Sequence, residues 1–223
     1  MDPFAWSDKP RNTAFPIASA GYPFIFAAAF TTAIFSLLGF KMLALTALLM
    51  TFAICFFFRD PDRVIPTEAG AFVSPADGKV IKAKRLEKNP YLDGPCMQVS
   101  IFMTVFNVHV NRASCEGTIE KTAYQPGTFF SANLDKAQTR NEHNAVFLKM
   151  ENDKEVCIVQ IAGLIARRII CWANKGEKLK KGQRFGLICF GSRLDVYLPV
   201  DVVLNVSVGE KVKAGTSIIG YLK

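Results

Sequence analysis

Gly176-Glu177-Lys178-Leu179-Lys180-Lys181-Gly182 and Gly209-Glu210-Lys211-Val212-Lys213-Ala214-Gly215 are two copies of one pattern, 33 positions apart. In each, a glycine opens a turn, a short charged strand follows, and a second glycine opens another turn. Glycine suits both turns because it reaches backbone conformations that other residues avoid. Each copy leads into an apolar run, Phe185-Gly186-Leu187-Ile188 after the first and Ile218-Ile219-Gly220-Tyr221-Leu222 after the second. The same texture fills the chain from Pro61 onward. Lys79–Ile81, Met97–Phe102, Val105–Val110, Ala145–Leu148, Val156–Ile161, Arg168–Trp172, Phe185–Phe190, Val196–Leu198 and Val202–Val206 are short runs rich in Val, Ile and Phe, separated by Gly, Pro and Asp. These are strands by composition and length. Their close spacing predicts a mainly β, antiparallel domain, and no long helical period appears after residue 63.

The repeated unit resembles the half-motif of biotinyl and lipoyl carrier domains, the hammerhead. The resemblance covers about fifteen residues per copy. It implies a fold rather than a function.

The N-terminal part reads differently. From Asn12 to Phe58 the only charged residue is Lys41. One apolar stretch runs from Ala14 to Phe40 and a second from Met42 to Phe58, each close to the length that crosses a hydrocarbon core of ~30 Å at ~1.5 Å per residue. Gly39-Phe40-Lys41 is the break between them. The expected structure is a helical membrane hairpin over residues 1–60. Lys9 and Arg11 precede it, and Arg59 and Arg63 follow, which favours the cytoplasmic side for both ends. Asp60-Pro61 stops the second helix, because a residue before proline avoids the helical region. The second domain then spans 61–223. A cleaved signal peptide fits poorly, since the apolar region is too long and Asp2 and Asp8 interrupt a basic leader. A buried helical pair of a soluble protein is the plainer alternative.

The net charge is +8. No nucleic-acid recognition module is readable, so the basic balance points to an anionic membrane face or an anionic lipid. The six cysteines form no C-x-x-C pair and mostly sit in apolar runs such as Val156-Cys157-Ile158. Buried reduced thiols are expected, consistent with a cytoplasmic location.

Few residues can carry chemistry. Only two histidines are present, His109 and His143, and no His, Cys and carboxylate cluster has metal spacing, so no metal site is expected. A phosphate-binding glycine loop and a G-x-S-x-G elbow are both missing. Phe190-Gly191-Ser192-Arg193 holds the one Gly-Ser dipeptide of the chain. Alone, such a dipeptide is an ordinary β-turn. A glycine before a serine also leaves the connecting carbonyl sterically open. A serine hydroxyl held near that carbonyl can attack it, giving an ester by N-to-O acyl shift. Elimination leaves a dehydroalanine that hydrolyses to a pyruvoyl group. The reaction needs strain, a base and oxyanion stabilisation. Asp77 and His109 are the available base system, a histidine taking the proton and a carboxylate orienting it. Each has a plain reading as well. Asp77-Gly78 is a common turn, and His109 in an alternating strand is by default a satisfied core histidine. His143, in Arg140-Asn141-Glu142-His143-Asn144, reads as surface or loop.

Phe57-Phe58-Arg59-Asp60-Pro61, Val73-Ser74-Pro75-Ala76-Asp77-Gly78-Lys79-Val80, Asn107-Val108-His109-Val110-Asn111-Arg112, Gln160 through Ile169, Arg184-Phe185-Gly186 and Phe190-Gly191-Ser192-Arg193 together resemble the phosphatidylserine decarboxylases, in their short form, which includes archaetidylserine decarboxylases. The matches fall in the family's order and cover essentially the whole chain. Thr104-Val105 and Asn107 depart from the Ser-Pro and Asp that members often carry. Arg112 stands where longer members have a second histidine.

The resemblance implies a pyruvoyl-dependent carboxy-lyase. Cleavage between Gly191 and Ser192 would give a beta chain, 1–191, and an alpha chain, 192–223, held as a heterodimer, with Ser192 converted to the pyruvoyl cofactor. That group would form a Schiff base with the serine head group of an anionic phospholipid and release CO2, leaving phosphatidylethanolamine. The implied catalytic residues are Ser192, His109 and Asp77. The implied place is the cell membrane, with the catalytic domain on the cytoplasmic face. A membrane-tethered hammerhead-type binding or carrier module without catalytic activity is the alternative. It would need a modifiable lysine at a hairpin tip or a long helical arm, and neither is visible.

Overall fold

The computed structural model describes residues 4–6, 16–134, 137–164, 168–189 and 191–223. The basic flank at Lys9 and Arg11, the start of the first apolar stretch at Ala14 and the strand end at Phe190 lie outside these. Two units are distinct, one spanning Arg11–Asp62 and the other Arg63–Lys223 together with Met1–Pro10.

The first unit is a pair of apolar helices. A 3-10 turn at Ser19–Gly21 leads into α1 (Tyr22–Leu37), and α2 is Lys41–Phe57. Gly39, at φ +76°, makes the reversal between them. Thr32 Oγ1 and Thr51 Oγ1 meet at 3.4 Å across the pair. At its open end, Ala18 N–H donates to Phe58 O at 2.8 Å and Asp60 N–H to Pro16 O at 2.7 Å. Helix α1 buries no side chain. The helical segment Ser19–Leu37 is long and apolar enough to cross a membrane, whereas α2 is shorter.

The second unit is mainly β, and among the described residues its named strands all pair antiparallel. Its strands are β1 (Phe4–Trp6), β2 (Val64–Pro66), β3 (Ala71–Val73), β4 (Gly78–Leu86), β5 (Cys96–Met103), β6 (Val110–Arg112), β7 (Gly117–Gln125), β8 (His143–Lys149), β9 (Glu155–Ile161), β10 (Ile169–Cys171), β11 (Lys178–Leu179), β12 (Arg184–Ile188), β13 (Ser192–Pro199), β14 (Val202–Leu204), β15 (Lys211–Val212) and β16 (Ile218–Leu222). One turn of helix, α3 (Ala137–Arg140), precedes β8. An eight-stranded sheet runs β11-β7-β8-β9-β13-β5-β4-β15, and two three-stranded sheets run β10-β12-β6 and β14-β16-β3.

Both copies of the sequence repeat contribute to the large sheet. Each copy adds a two-residue strand to one edge of the large sheet, β11 on β7 and β15 on β4. Leu179 and Val212, equivalent within the copies, are both buried. Each pairs with a glycine, Leu179 with Gly117 and Val212 with Gly78. A Cβ on Gly78 would fall 2.3 Å from Phe102 O, and one on Gly117 2.8 Å from Lys149 O, so both edges need glycine for backbone to approach backbone. Gly182 and Gly215, at φ +78° and +73°, both turn against Ile65.

The predicted strand Val105–Val110 does not form. Asn107 Oδ1 accepts from Thr104 N–H and Thr104 Oγ1–H, each at 2.9 Å, and closes a turn. This side-chain competition with the ladder ends β5 at Met103 and leaves His109 in coil before the short β6. All six cysteines are free, and Cys96, Cys115, Cys157 and Cys189 are buried.

Candidate active site

Ser192 opens β13, the strand held between β9 and β5 at the centre of the large sheet. Leu194, Val196 and Leu198 lie in the main core. With side chains alternating along a strand, Ser192 faces that same core. It is fully buried, and its Oγ has no hydrogen-bond partner among the described residues. A buried hydroxyl without a partner is costly and calls for an explanation. Gly191 is at φ +49°, in the left-handed region that favours glycine.

The backbone of His109 is tied to the segment that leads toward Ser192. Its carbonyl accepts from Ile188 N–H at 3.3 Å, four residues before Ser192, and from Asn111 Nδ2 at 3.3 Å. Asn111 Oδ1 accepts from Gln160 Nε2 at 2.9 Å, and Gln160 Oε1 accepts from Asn144 Nδ2 at 3.0 Å. Gln160 pairs with Leu194 across β9 and β13, so its side chain shares the Ser192 face. This buried amide relay ties the His109 segment to the sheet beneath Ser192. His109 Nδ1 is 2.9 Å from Asn107 O. A carbonyl only accepts, so Nδ1 carries the proton and Nε2 is the basic nitrogen of the neutral ring.

Asp77 sits at the same end of the sheet, just before β4, whose Lys79 pairs with Phe102 of β5. Its hydrogen bonds go elsewhere than to His109. The carboxylate accepts from Arg63 Nη2 at 3.0 Å and from Ala214 N–H at 2.7 Å. Asp77 thereby grips the turn of the second repeat. Arg112 grips the first, donating from Nη1 to Gly182 O at 2.9 Å. The two segments touch through backbone, Arg112 N–H donating to Pro75 O at 2.9 Å. His143, expected on the surface or in a loop, opens β8 half-buried, with Nδ1 2.8 Å from Asn141 O.

Sequence reasoning passed over the opposite face of β13. Arg193, Asp195 and Tyr197 are all fully buried there. Arg193 Nε donates to Asp195 Oδ1 at 2.6 Å and Nη2 to Oδ2 at 2.8 Å, with Ser100 Oγ at 3.1 Å. Gln98 Nε2 bridges Asp195 and Tyr197, at 3.3 Å to each, and Gln138 Nε2 donates to Tyr197 OH at 2.6 Å. Burial first, then Asp195, pushes the Tyr197 phenol far up, so it stays neutral. An i, i+2 pair of opposite charges on a strand is a readable signal for such a buried pair.

Among the described residues, no group of three or more His, Cys, Asp or Glu is placed to hold a metal. Ser192 presents a buried hydroxyl without a partner among the described residues, beside a glycine in an uncommon conformation.

Comparison with known proteins gives one answer. Residues 50–220 match the family model described as phosphatidylserine decarboxylase. The chain is 50% identical over 208 residues to a phosphatidylserine decarboxylase proenzyme of Syntrophus aciditrophicus, covering 92% of this chain and 96% of that one. It is 47% identical over 212 residues to the proenzyme of that name from Geotalea uraniireducens, covering 95% and 99%. A third, from Desulfotalea psychrophila, is 45% identical over 207 residues, covering 93% and 97%. The class is therefore that of the decarboxylases, carboxy-lyases made as proenzymes. The chain belongs to the phosphatidylserine decarboxylase family.

Proposed function

We propose that this chain is a proenzyme that cuts itself between Gly191 and Ser192 and then removes CO2 from the serine head group of a phosphatidylserine-type lipid. The observation that carries this reading is the buried Ser192 Oγ, without a partner and next to Gly191 at φ +49°. Ser192 is the nucleophile. His109 takes its proton, Nε2 being the basic nitrogen. Asp77 supports the segment that bears His109 through the Pro75–Arg112 backbone bond, and it ties residues 192–223 to 1–191 through Ala214 N–H. Strand β13 pairs on both sides, so the two pieces stay together as one sheet after the cut. The pyruvoyl group made from Ser192 supplies an electron sink for loss of CO2. Residues 1–60 form the membrane anchor and 61–223 the catalytic domain, at the cytoplasmic face. The two repeats form the halves of a hammerhead.

Wild-type protein should separate into residues 1–191 and 192–223 on denaturing electrophoresis, the smaller piece resisting N-terminal sequencing. Vesicles containing phosphatidylserine should yield CO2 and phosphatidylethanolamine. A single uncut band from protein that releases CO2 defeats the proposal.

The loops around Ser192 suit a lipid surface. Phe106, 72% exposed, follows β5, and Leu164, 61% exposed, follows β9. Both strands end beside Ser192, and Arg140 and Arg168 are exposed on neighbouring segments. Burying a large apolar side chain in the interface is worth ~1.5–3 kcal/mol, about tenfold or more in binding. Phe106→Glu and Leu164→Glu should each cut turnover of vesicle-borne phosphatidylserine roughly tenfold, leaving a short-chain soluble substrate and self-cleavage nearly unaffected. Equal losses on both substrates would show that these side chains do not meet the bilayer.

A further inference from the structure

We propose that Gly163 is a positioning residue for self-cleavage, because its Cα is the surface against which the carbonyl oxygen of Gly191 rests. The inference deepens the cleavage reading and depends on it. Arg193 pairs with Ile161 across β13 and β9. Continued by two residues, that register sets Gly191 opposite Gly163. A Cβ built on Gly163 would fall 1.9 Å from Gly191 O and 3.0 Å from its carbonyl carbon. No side chain fits there. The two backbones therefore approach more closely than any other residue at 163 allows.

The residue before Gly163 is held in place. Ala162 N–H donates to Glu142 O at 2.9 Å. Ala162 O accepts from Asn141 Nδ2 at 2.7 Å, and Asn141 is fully buried. The same amide exchanges two bonds with Phe130, Nδ2 to Phe130 O at 2.7 Å and Phe130 N–H to Oδ1 at 2.9 Å. The added Cβ would also touch Ala132 Cβ at 3.4 Å. Any atom added at 163 must push the Gly191 carbonyl instead.

The position of that carbonyl decides the first step. Ser192 Oγ bonds to the Gly191 carbonyl carbon, the C–N bond to Ser192 breaks, and the hydroxyl proton ends on the freed amine. Elimination then removes the Ser192 Cα proton and breaks Cβ–O, releasing the Gly191 carboxylate. Water converts the remaining enamine to the keto group and ammonia. Only the first of these steps needs Oγ aligned on the carbonyl, and a misplacement of ~1 Å costs roughly 100-fold in rate.

In the full chain, Gly163→Ala should slow processing by about 100-fold and accumulate uncut precursor. Hydroxylamine separates positioning from a later defect, because it cleaves an ester and spares an amide. It should leave the Gly163→Ala precursor intact. Gly117→Ala is the control for strain alone, with its Cβ 2.8 Å from Lys149 O at the sheet edge. That variant should lose stability yet cut at the wild-type rate. Asn141→Ala, which adds no atom and removes the brace, should slow cutting by about tenfold. It decides the matter if Gly163→Ala fails to fold. Wild-type processing in a folded Gly163→Ala chain overturns the proposal, as does hydroxylamine cleavage of its precursor or wild-type processing in Asn141→Ala. Failure of the wild-type chain to cut would instead sink the underlying reading.

Discussion

Ser192→Ala should yield a folded, uncut chain of 24.7 kDa with no decarboxylase activity. The substitution removes one oxygen. That oxygen has no hydrogen-bond partner among the described residues, so no bond is broken by its loss. The register of β13 with β5 and β9 runs through backbone and is unaffected. The precursor should therefore melt at or slightly above the wild-type temperature, since a buried polar group without a partner costs ~1–3 kcal/mol. Chemistry should respond in the opposite sense. Without Oγ no ester forms at Gly191, no pyruvoyl group arises, and both cleavage and CO2 release end together. Loss of a covalent nucleophile lowers turnover on the order of 10⁶-fold, which here means below detection. Conversion of phosphatidylserine by intact Ser192→Ala chain would eliminate the mechanism.

How much of this was legible beforehand depends on distance along the chain. The strands β11 and β15 lie inside the two copies, where a short charged run between glycine turns already reads as a strand from local sequence. The two apolar helices were legible from composition. The segment around His109 was not. Val105–Val110 has strand composition, yet the Asn107 side chain captures Thr104 and turns the chain. Composition measures propensity and misses that competition. Asp77 was singled out as an orienting carboxylate, but its partners, Arg63 and Ala214, stand 14 and 137 positions away. Gly163 lay inside a quoted motif with no role attached. Its meaning appears only when β9 and β13 are in register, which sets it against Gly191.

Asp195→Ala should be strongly destabilising. Arg193 is fully buried, and its guanidinium is answered by Asp195 through two short bonds, with Ser100 Oγ and Gln138 Oε1 as neutral acceptors. Nη1 has no partner among the described residues. The surroundings are apolar, with Cys96, Phe147, Cys157, Val159 and Ile161 on the same face. Removing one member of such a pair leaves a charge stranded, at ~3–5 kcal/mol. Against a total stability of ~5–15 kcal/mol, that is a large fraction. At ~2–4 °C per kcal/mol for a domain of this size, the melting temperature should drop by about 10 °C. The pair itself is worth far less than its disruption. Arg193→Met combined with Asp195→Leu removes both charges and should recover most of the loss. The double-variant cycle on thermal or urea unfolding would then give a coupling of ~3 kcal/mol or more. A cycle with no coupling would mean that water or another group already neutralises Arg193. The pair also bears on the proposed cut, after which Arg193 would be the second residue of the small piece. Two buried bonds then hold the residue beside the new terminus. Their loss should let that terminus move, and decarboxylation should fall more than self-cleavage does.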